Sequence, residues 1–253
     1  MKRGTAVLRN SARVLGAAWC AGTLLWCTTA GAQSHAASGA QSHAASGAHA
    51  TSTAHTAPTA DAALERLVEG NQRFVAGKAK HGHQSATYRH ELTGGQHPFA
   101  TVLGCSDSRV PVELVFDQGF GDVFVIRVAG NVVGTDDLAS IEYAVHHLHT
   151  PLIVVMGHES CGAVTSALMS ADDRSHEARA IQDLLSQIQP AIIDIDPRLP
   201  PGERVHQGVE ANVRQSVRQL QASADLMHPH EGAPPIIVGA VYEITTGKVR
   251  ILK

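Results

Sequence analysis

Reactive side chains gather at two places in this chain. One is Cys105-Ser106-Asp107-Ser108-Arg109 and the other is His158-Glu159-Ser160-Cys161-Gly162. His158 and Cys161 are three residues apart, a spacing that can aim both at one metal ion, and Cys105 can supply a third ligand from a neighbouring segment. Two thiolates and an imidazole match zinc, and a site with three protein ligands keeps a position for water. Three other readings stay open at this level. Cys105 and Cys161 could form a disulfide in an oxidising compartment, although a disulfide has no need of a histidine. Cys105 could be a phosphatase-like nucleophile, but that chemistry usually has its arginine six positions on, and Arg109 is four on. A structural zinc would normally be closed by a fourth Cys or His. Asp107 and Arg109 add to the catalytic reading: the arginine can hold the carboxylate by paired hydrogen bonds, leaving it beside the metal to accept a proton. On its own, an Asp-x-Arg pair would be read as a surface ion pair.

The elements that deliver these groups are short apolar runs ended by the reactive residues. FATVLG (99–104) runs into Cys105, and LIVVMG (152–157) runs into His158. DVFVIRV (122–128) and PIIVGAVYEI (235–244) are two more such runs. Continuous apolar runs suit strands covered on both faces, as in parallel sheets. Helical patterns separate them. Leu64, Leu67, Val68, Phe74 and Val75 form a stripe opened by Asp61; Leu138, Ile141, Val145 and Leu148 form another, capped by Thr135; Val205, Val209, Val213, Val217 and Leu220 form a third. His146, His147 and His149 fall on the second of these helices and are read as solvent or packing residues. TTG (245–247) turns the chain into KVRIL, a returning antiparallel strand. The fold class is α/β: a mostly parallel sheet of about four strands plus an antiparallel edge strand, flanked by helices, with an N-terminal helical arm. In such sheets, sites form at the carboxyl ends of the strands near the point where strand order reverses, so both clusters reach one edge.

Ahead of this domain the chain changes character. Lys2, Arg3, Arg9 and Arg13 precede the apolar run Val14–Cys27, and Ala30-Gly31-Ala32 resembles a cleavage site, so residues 1–32 are read as a secretory signal peptide. A membrane anchor is the lesser reading, because a spanning helix needs about 20 predominantly apolar residues. Residues 33–60 contain no Asp, Glu, Lys or Arg, and AQSHAASG occurs in tandem at 32–39 and 40–47; this is a low-complexity linker whose His35, His43, His49 and His55 could transiently hold a metal. Export to the periplasm or beyond follows, and only Cys105 and Cys161 remain after cleavage. A formal net charge of −3 gives no electrostatic case for nucleic acid, and no membrane contact is expected once the leader is removed.

CSDSRVP (105–111) and GHESCGA (157–163) resemble the two signature motifs of the β-class carbonic anhydrases. EGNQRF (69–74), VIRVAGN (125–131), SIEYAV (140–145) and GAVYEITTGKV (239–249) are similar to that family's flanking blocks, in order, across 61–253. The resemblance implies zinc, one per chain, on Cys105, His158 and Cys161, with Asp107 and Arg109 as a catalytic dyad. It implies substrate contacts from Gln96, Phe124, Tyr143 and the backbone N–H of Gly162. It also implies a homodimer or dimer of dimers, with the site at the subunit boundary and the N-terminal helix embracing the partner. Val128 stands where asparagine is common in the family. Val102 replaces a tryptophan of members with a regulatory bicarbonate pocket, so none is expected. The implied reaction is reversible hydration of carbon dioxide to bicarbonate and a proton, faster on the alkaline side because two thiolates offset the metal's charge. Hydrolysis of carbon disulfide or carbonyl sulfide, and noncatalytic zinc binding in the envelope, are the alternative functions.

Overall fold

A computed structural model describes residues 58–253; the leader and almost all of the low-complexity linker lie outside the described residues. In chain order the elements are α1 (Ala60–Val75), α2 (Ala86–Glu91), β1 (Ala100–Gly104), α3 (Val112–Val115), β2 (Val123–Arg127), α4 (Thr135–His146) and β3 (Leu152–His158). There follow α5 (Gly162–Ala167), α6 (Ala171–Ser175), α7 (Arg179–Ile192), α8 (Pro201–Gln221), α9 (Ala224–Met227), β4 (Ile236–Tyr242) and β5 (Val249–Ile251). The sheet order is β2-β1-β3-β4-β5, parallel except for β5.

Successive strand residues face opposite sides of a sheet, so each apolar run feeds two cores. Ile153 and Val155 of β3 join Leu103, Ile141, Leu185, Ile188 and Val213 on one face. Leu152, Val154 and Met156 join Val102, Leu67, Val112 and Phe116 on the other. The helices after β1 and β3 thus cover opposite faces, α3 on the second core and α5 on the first. The chain parts between the ends of β1 and β3, and there the crevice opens.

β1 and β3 are buried along their whole length, as continuous apolar runs require, but β2 is not. It is one of the two edges of the sheet among the described residues, and Val123, Phe124 and Val125 are only partly covered by this chain.

α1 starts at Ala60, with Thr59 Oγ1 accepting from Ala62 N at 3.2 Å, so folded structure reaches just behind Asp61. Its inward face is Ala63, Leu67, Gly70 and Asn71 rather than the whole stripe; Val75 is 39% exposed. A Cβ on Gly70 would sit 1.8 Å from the Phe116 carbonyl oxygen, so only glycine lets helix and chain approach here. Asn71 Nδ2 donates to Val115 O (3.0 Å) and Gly247 O (2.9 Å), and its Oδ1 accepts from Val249 N (2.9 Å). Arg73 Nε donates to Asp117 Oδ2 at 2.6 Å, and Arg66 reaches Asp122 at 2.5 Å. α1 is therefore bound to its own sheet. Among the described α-helices, α2 and α6 have no buried residue, and α2 is the one that belongs to the N-terminal arm.

Two smaller corrections concern α4. Thr135 is its first helical residue and Gly134 stands at the cap, its N–H donating to Asp137 Oδ2 (3.1 Å). The helix ends at His146; His147 is its C-cap, and His149 lies beyond it with a φ of 55°.

Candidate metal centre

Cys105 follows the last residue of β1, His158 is the last residue of β3, and Cys161 immediately precedes α5. One ligand atom from each lies within 4.8 Å of the others, and all three residues are buried. Both cysteines are free thiols, which removes the disulfide reading.

His158 is fully buried, and its Nδ1 lies 2.9 Å from the Glu159 carbonyl oxygen. A carbonyl can only accept, so Nδ1 carries the proton and Nε2 presents a lone pair. That Nε2 is buried without a hydrogen-bond partner, which is costly unless something electrophilic meets it. The sulfurs are prepared as well. Cys105 is drawn down first by the Cys161 thiol donating to it and also by the backbone N–H of Gly130, against the opposing effect of burial. The same hydrogen bond and burial push Cys161 up. The pair thus shares one proton, which a metal would displace.

Gly130 N reaches Cys105 Sγ at 3.3 Å from a turn at Ala129–Asn131. Gly130 has φ 72°, and a Cβ there would lie 2.9 Å from Ile188 Cδ1 and 3.1 Å from Ala163 Cβ. α8 pins the turn: Asn212 Nδ2 donates to Gly130 O (2.7 Å) and Ser216 Oγ to Asn131 O (3.0 Å).

Arg109 holds both oxygens of Asp107, with Nε and the backbone N each 2.9 Å from Oδ1 and Nη2 2.7 Å from Oδ2. The same Oδ2 is 3.8 Å from His158 Nε2, so the dyad stands beside the ligand cluster. The Arg109 hydrogen bonds hold the Asp107 carboxyl well below the usual carboxylate range. Arg109 Nη2 also approaches Ser160 O at 3.4 Å, tying the two reactive segments together.

Two supports are not marked by residue type or spacing. Arg127, at the end of β2, donates from Nε to Cys105 O (3.0 Å) and from Nη2 to Asp107 O (2.6 Å). The available signal was a charged residue closing an apolar strand. Glu159 receives hydrogen bonds from Thr245 N (3.0 Å) and Thr245 Oγ1 (2.9 Å), which hold its carboxyl below the usual range.

Of the four further pocket residues, Gly162 alone adjoins the cluster, opening α5 next to Cys161. Phe124 pairs with Thr101 in the sheet register, four residues below Cys105 and about 13 Å along the strand. Tyr143, 47% exposed, accompanies it with ring centroids 6.2 Å apart. Gln96 is exposed ahead of β1, at the end of the strand opposite Cys105. Within one chain these three do not meet the metal ligands.

A family model described as carbonic anhydrase matches residues 100–249. Carbonic anhydrase 2 of Mycobacterium tuberculosis is 42% identical over 188 residues, covering 74% of this chain and 90% of that protein. Among solved structures, the β-carbonic anhydrase CcaA superposes with a TM-score of 0.60 at 28% identity, over 75% of this chain and 95% of the other. A structure from Sordaria macrospora, described as one of two tetrameric β-carbonic anhydrases, gives 0.57 at 26% identity, over 75% and 96%.

Proposed function

The chain belongs to the β-carbonic anhydrase family, and from that premise we propose that it hydrates carbon dioxide reversibly to bicarbonate and a proton with one zinc ion held by Cys105, His158 and Cys161. The observation that carries this reading is the convergence of two sulfurs and an orphaned imidazole nitrogen within 4.8 Å, with an ionised carboxylate 3.8 Å from that nitrogen. Two thiolates and an imidazole fit zinc by softness and number. When bound, zinc supplies Lewis acidity, making a water acidic enough to act as a nucleophile near neutral pH.

The rest is done by the chain's own groups. Asp107 stays ionised because Arg109 occupies both its oxygens, so it is available as a proton acceptor at Oδ2. The same clamp holds the carboxylate in one orientation and opposes its turning to ligate the metal. Arg127 fixes the backbone between Cys105 and Asp107, keeping ligand and acceptor in register. The backbone N–H of Gly162, beside Cys161, is assigned to the substrate oxygen.

A second copy is part of this reading. β2 is an unpaired edge with half-covered apolar residues, and Gln96, Phe124 and Tyr143 lie at the end of the sheet away from their own cluster. A homodimer, or dimer of dimers, in which these residues wall the partner's site accounts for both observations. Export of the enzyme follows from its N-terminal composition, residues 1–32 acting as the leader and the low-complexity stretch as a tether.

Stopped-flow measurement of carbon dioxide hydration, with chelator and after zinc is restored, tests the proposal. Activity lost and regained supports it; a zinc-loaded chain without hydration activity overturns it in favour of a binding protein. Turnover of carbonyl sulfide or carbon disulfide in place of carbon dioxide would reassign the substrate.

A further inference from the structure

His158 is held by the residue that follows it, and that residue is tied across the sheet. The Glu159 N–H donates to Tyr242 O at 2.8 Å, extending the β3–β4 ladder one step past the register pair His158–Tyr242. The Glu159 carbonyl accepts from His158 Nδ1 at 2.9 Å and thereby sets the tautomer and plane of the ring. The next residue, Ser160, has a φ of 56°, a left-handed conformation that a serine adopts only when its neighbours hold it there. What holds the far side is the Glu159 carboxylate, whose Oε2 takes both the N–H and the hydroxyl of Thr245 in the β4–β5 turn. This tie lines a cavity of about 710 Å³ bounded also by Thr165, Val209, Val241 and Arg250, and it is exposed rather than part of the packed core. An exposed polar pair adds little to global stability, and its effect is on local geometry.

We propose that Glu159 is a positioning residue of the metal centre: its carboxylate, anchored on Thr245, fixes the Glu159 carbonyl that orients His158. The proposal rests on the zinc reading of Cys105, His158 and Cys161. It names a support outside the ligands and dyad, one that acts through the ring's second nitrogen. Partners of this kind typically change metal affinity by 10–100-fold when removed.

The test is zinc affinity of the metal-stripped full chain, measured by competition with a chelator, together with the visible spectrum of the cobalt-substituted protein. Glu159→Ala and Thr245→Val should each weaken affinity about tenfold and alter the cobalt bands. The double variant should be no worse than Glu159→Ala, and Thr245→Ser, which keeps the hydroxyl, should restore the wild-type value. Glu203→Ala removes a negative charge from the same cavity wall without touching the loop, and should leave affinity unchanged. Unchanged affinity in both tie variants overturns the proposal. So does an effect of Glu159→Ala with none of Thr245→Val, which would mean that the Thr245 hydroxyl is no part of the anchor. A loss matched by early melting of the metal-free variant also overturns it, by assigning the pair to the fold. If the wild-type chain binds no zinc, the failure belongs to the metal reading itself.

Discussion

Asp107 carries out its proposed role only while ionised and correctly turned, and Arg109 contributes to both. These contributions separate by pH. Removing the guanidinium lets the carboxyl rise toward its ordinary value of about 4, which still leaves it ionised at neutral pH. Arg109→Gln should therefore lower kcat by about 100-fold, by the same factor at pH 7 and at pH 9. Stopped-flow profiles of both proteins check this; a deficit that disappears as pH rises would mean that protonation, not orientation, was lost. Asp107→Ala should lower kcat at least as far while zinc content stays near one per chain. Loss of zinc in that variant would make the carboxylate a ligand.

At the scale of elements, the site depends on how α1 and the segment after α3 are secured to the sheet. Asp117 is the hinge of that arrangement. It is buried, has a φ of 48°, and accepts from Arg73, from Lys80 N at 2.9 Å and from His81 N at 3.0 Å. Burial alone would raise its carboxyl, but the Lys80 N–H, Arg73 and the His81 N–H outweigh it and hold it below the ordinary value. A depressed carboxyl contributes stability that is present above its unfolded value, near 4, and is lost as pH falls through the folded one. Asn tolerates the left-handed backbone, so Asp117→Asn removes the charge and one acceptor without straining the chain. It should cost about 2 kcal/mol at pH 7, with the gap to wild type closing below pH 4. Urea unfolding at the two pH values measures it; a gap independent of pH would assign the loss to packing.

The whole molecule raises the question of how many chains make one site. If Gln96 serves the partner's cluster, a Cys105→Ser chain and a Gln96→Ala chain are each deficient alone, yet a mixed dimer contains one complete site. Unfolding and refolding them together should recover about a quarter of wild-type activity, by random pairing of a two-fold dimer. No recovery above the sum of the parents would confine each site to one chain. At the same scale, the proposed leader predicts that the chain recovered from its producing cell begins at Gln33, which intact-mass measurement decides; a retained Met1 would remove the export reading.

The Cys105, His158 and Cys161 cluster, the Asp107–Arg109 pair and all five strands were legible in the sequence because each depends on local order: apolar runs of strand length, glycines that end them, and reactive residues placed directly after. The β2 edge, the tie from Glu159 to Thr245, the hold of Arg127 on the Cys105 turn and the three contacts of Asn71 were not. Each joins residues from separate parts of the chain, and hydrophobic periodicity says which face is buried, never against what. The family resemblance likewise implies Gln96, Phe124 and Tyr143 as site residues; the strand register places Phe124 four residues from the Cys105 end, Tyr143 lies beside it, and Gln96 precedes β1. Sequence alone determined which groups are candidates for the proposed chemistry, since side-chain type and local spacing set metal preference. Strand order, a product of long-range packing, decided that β1 and β3 end side by side and bring those groups together.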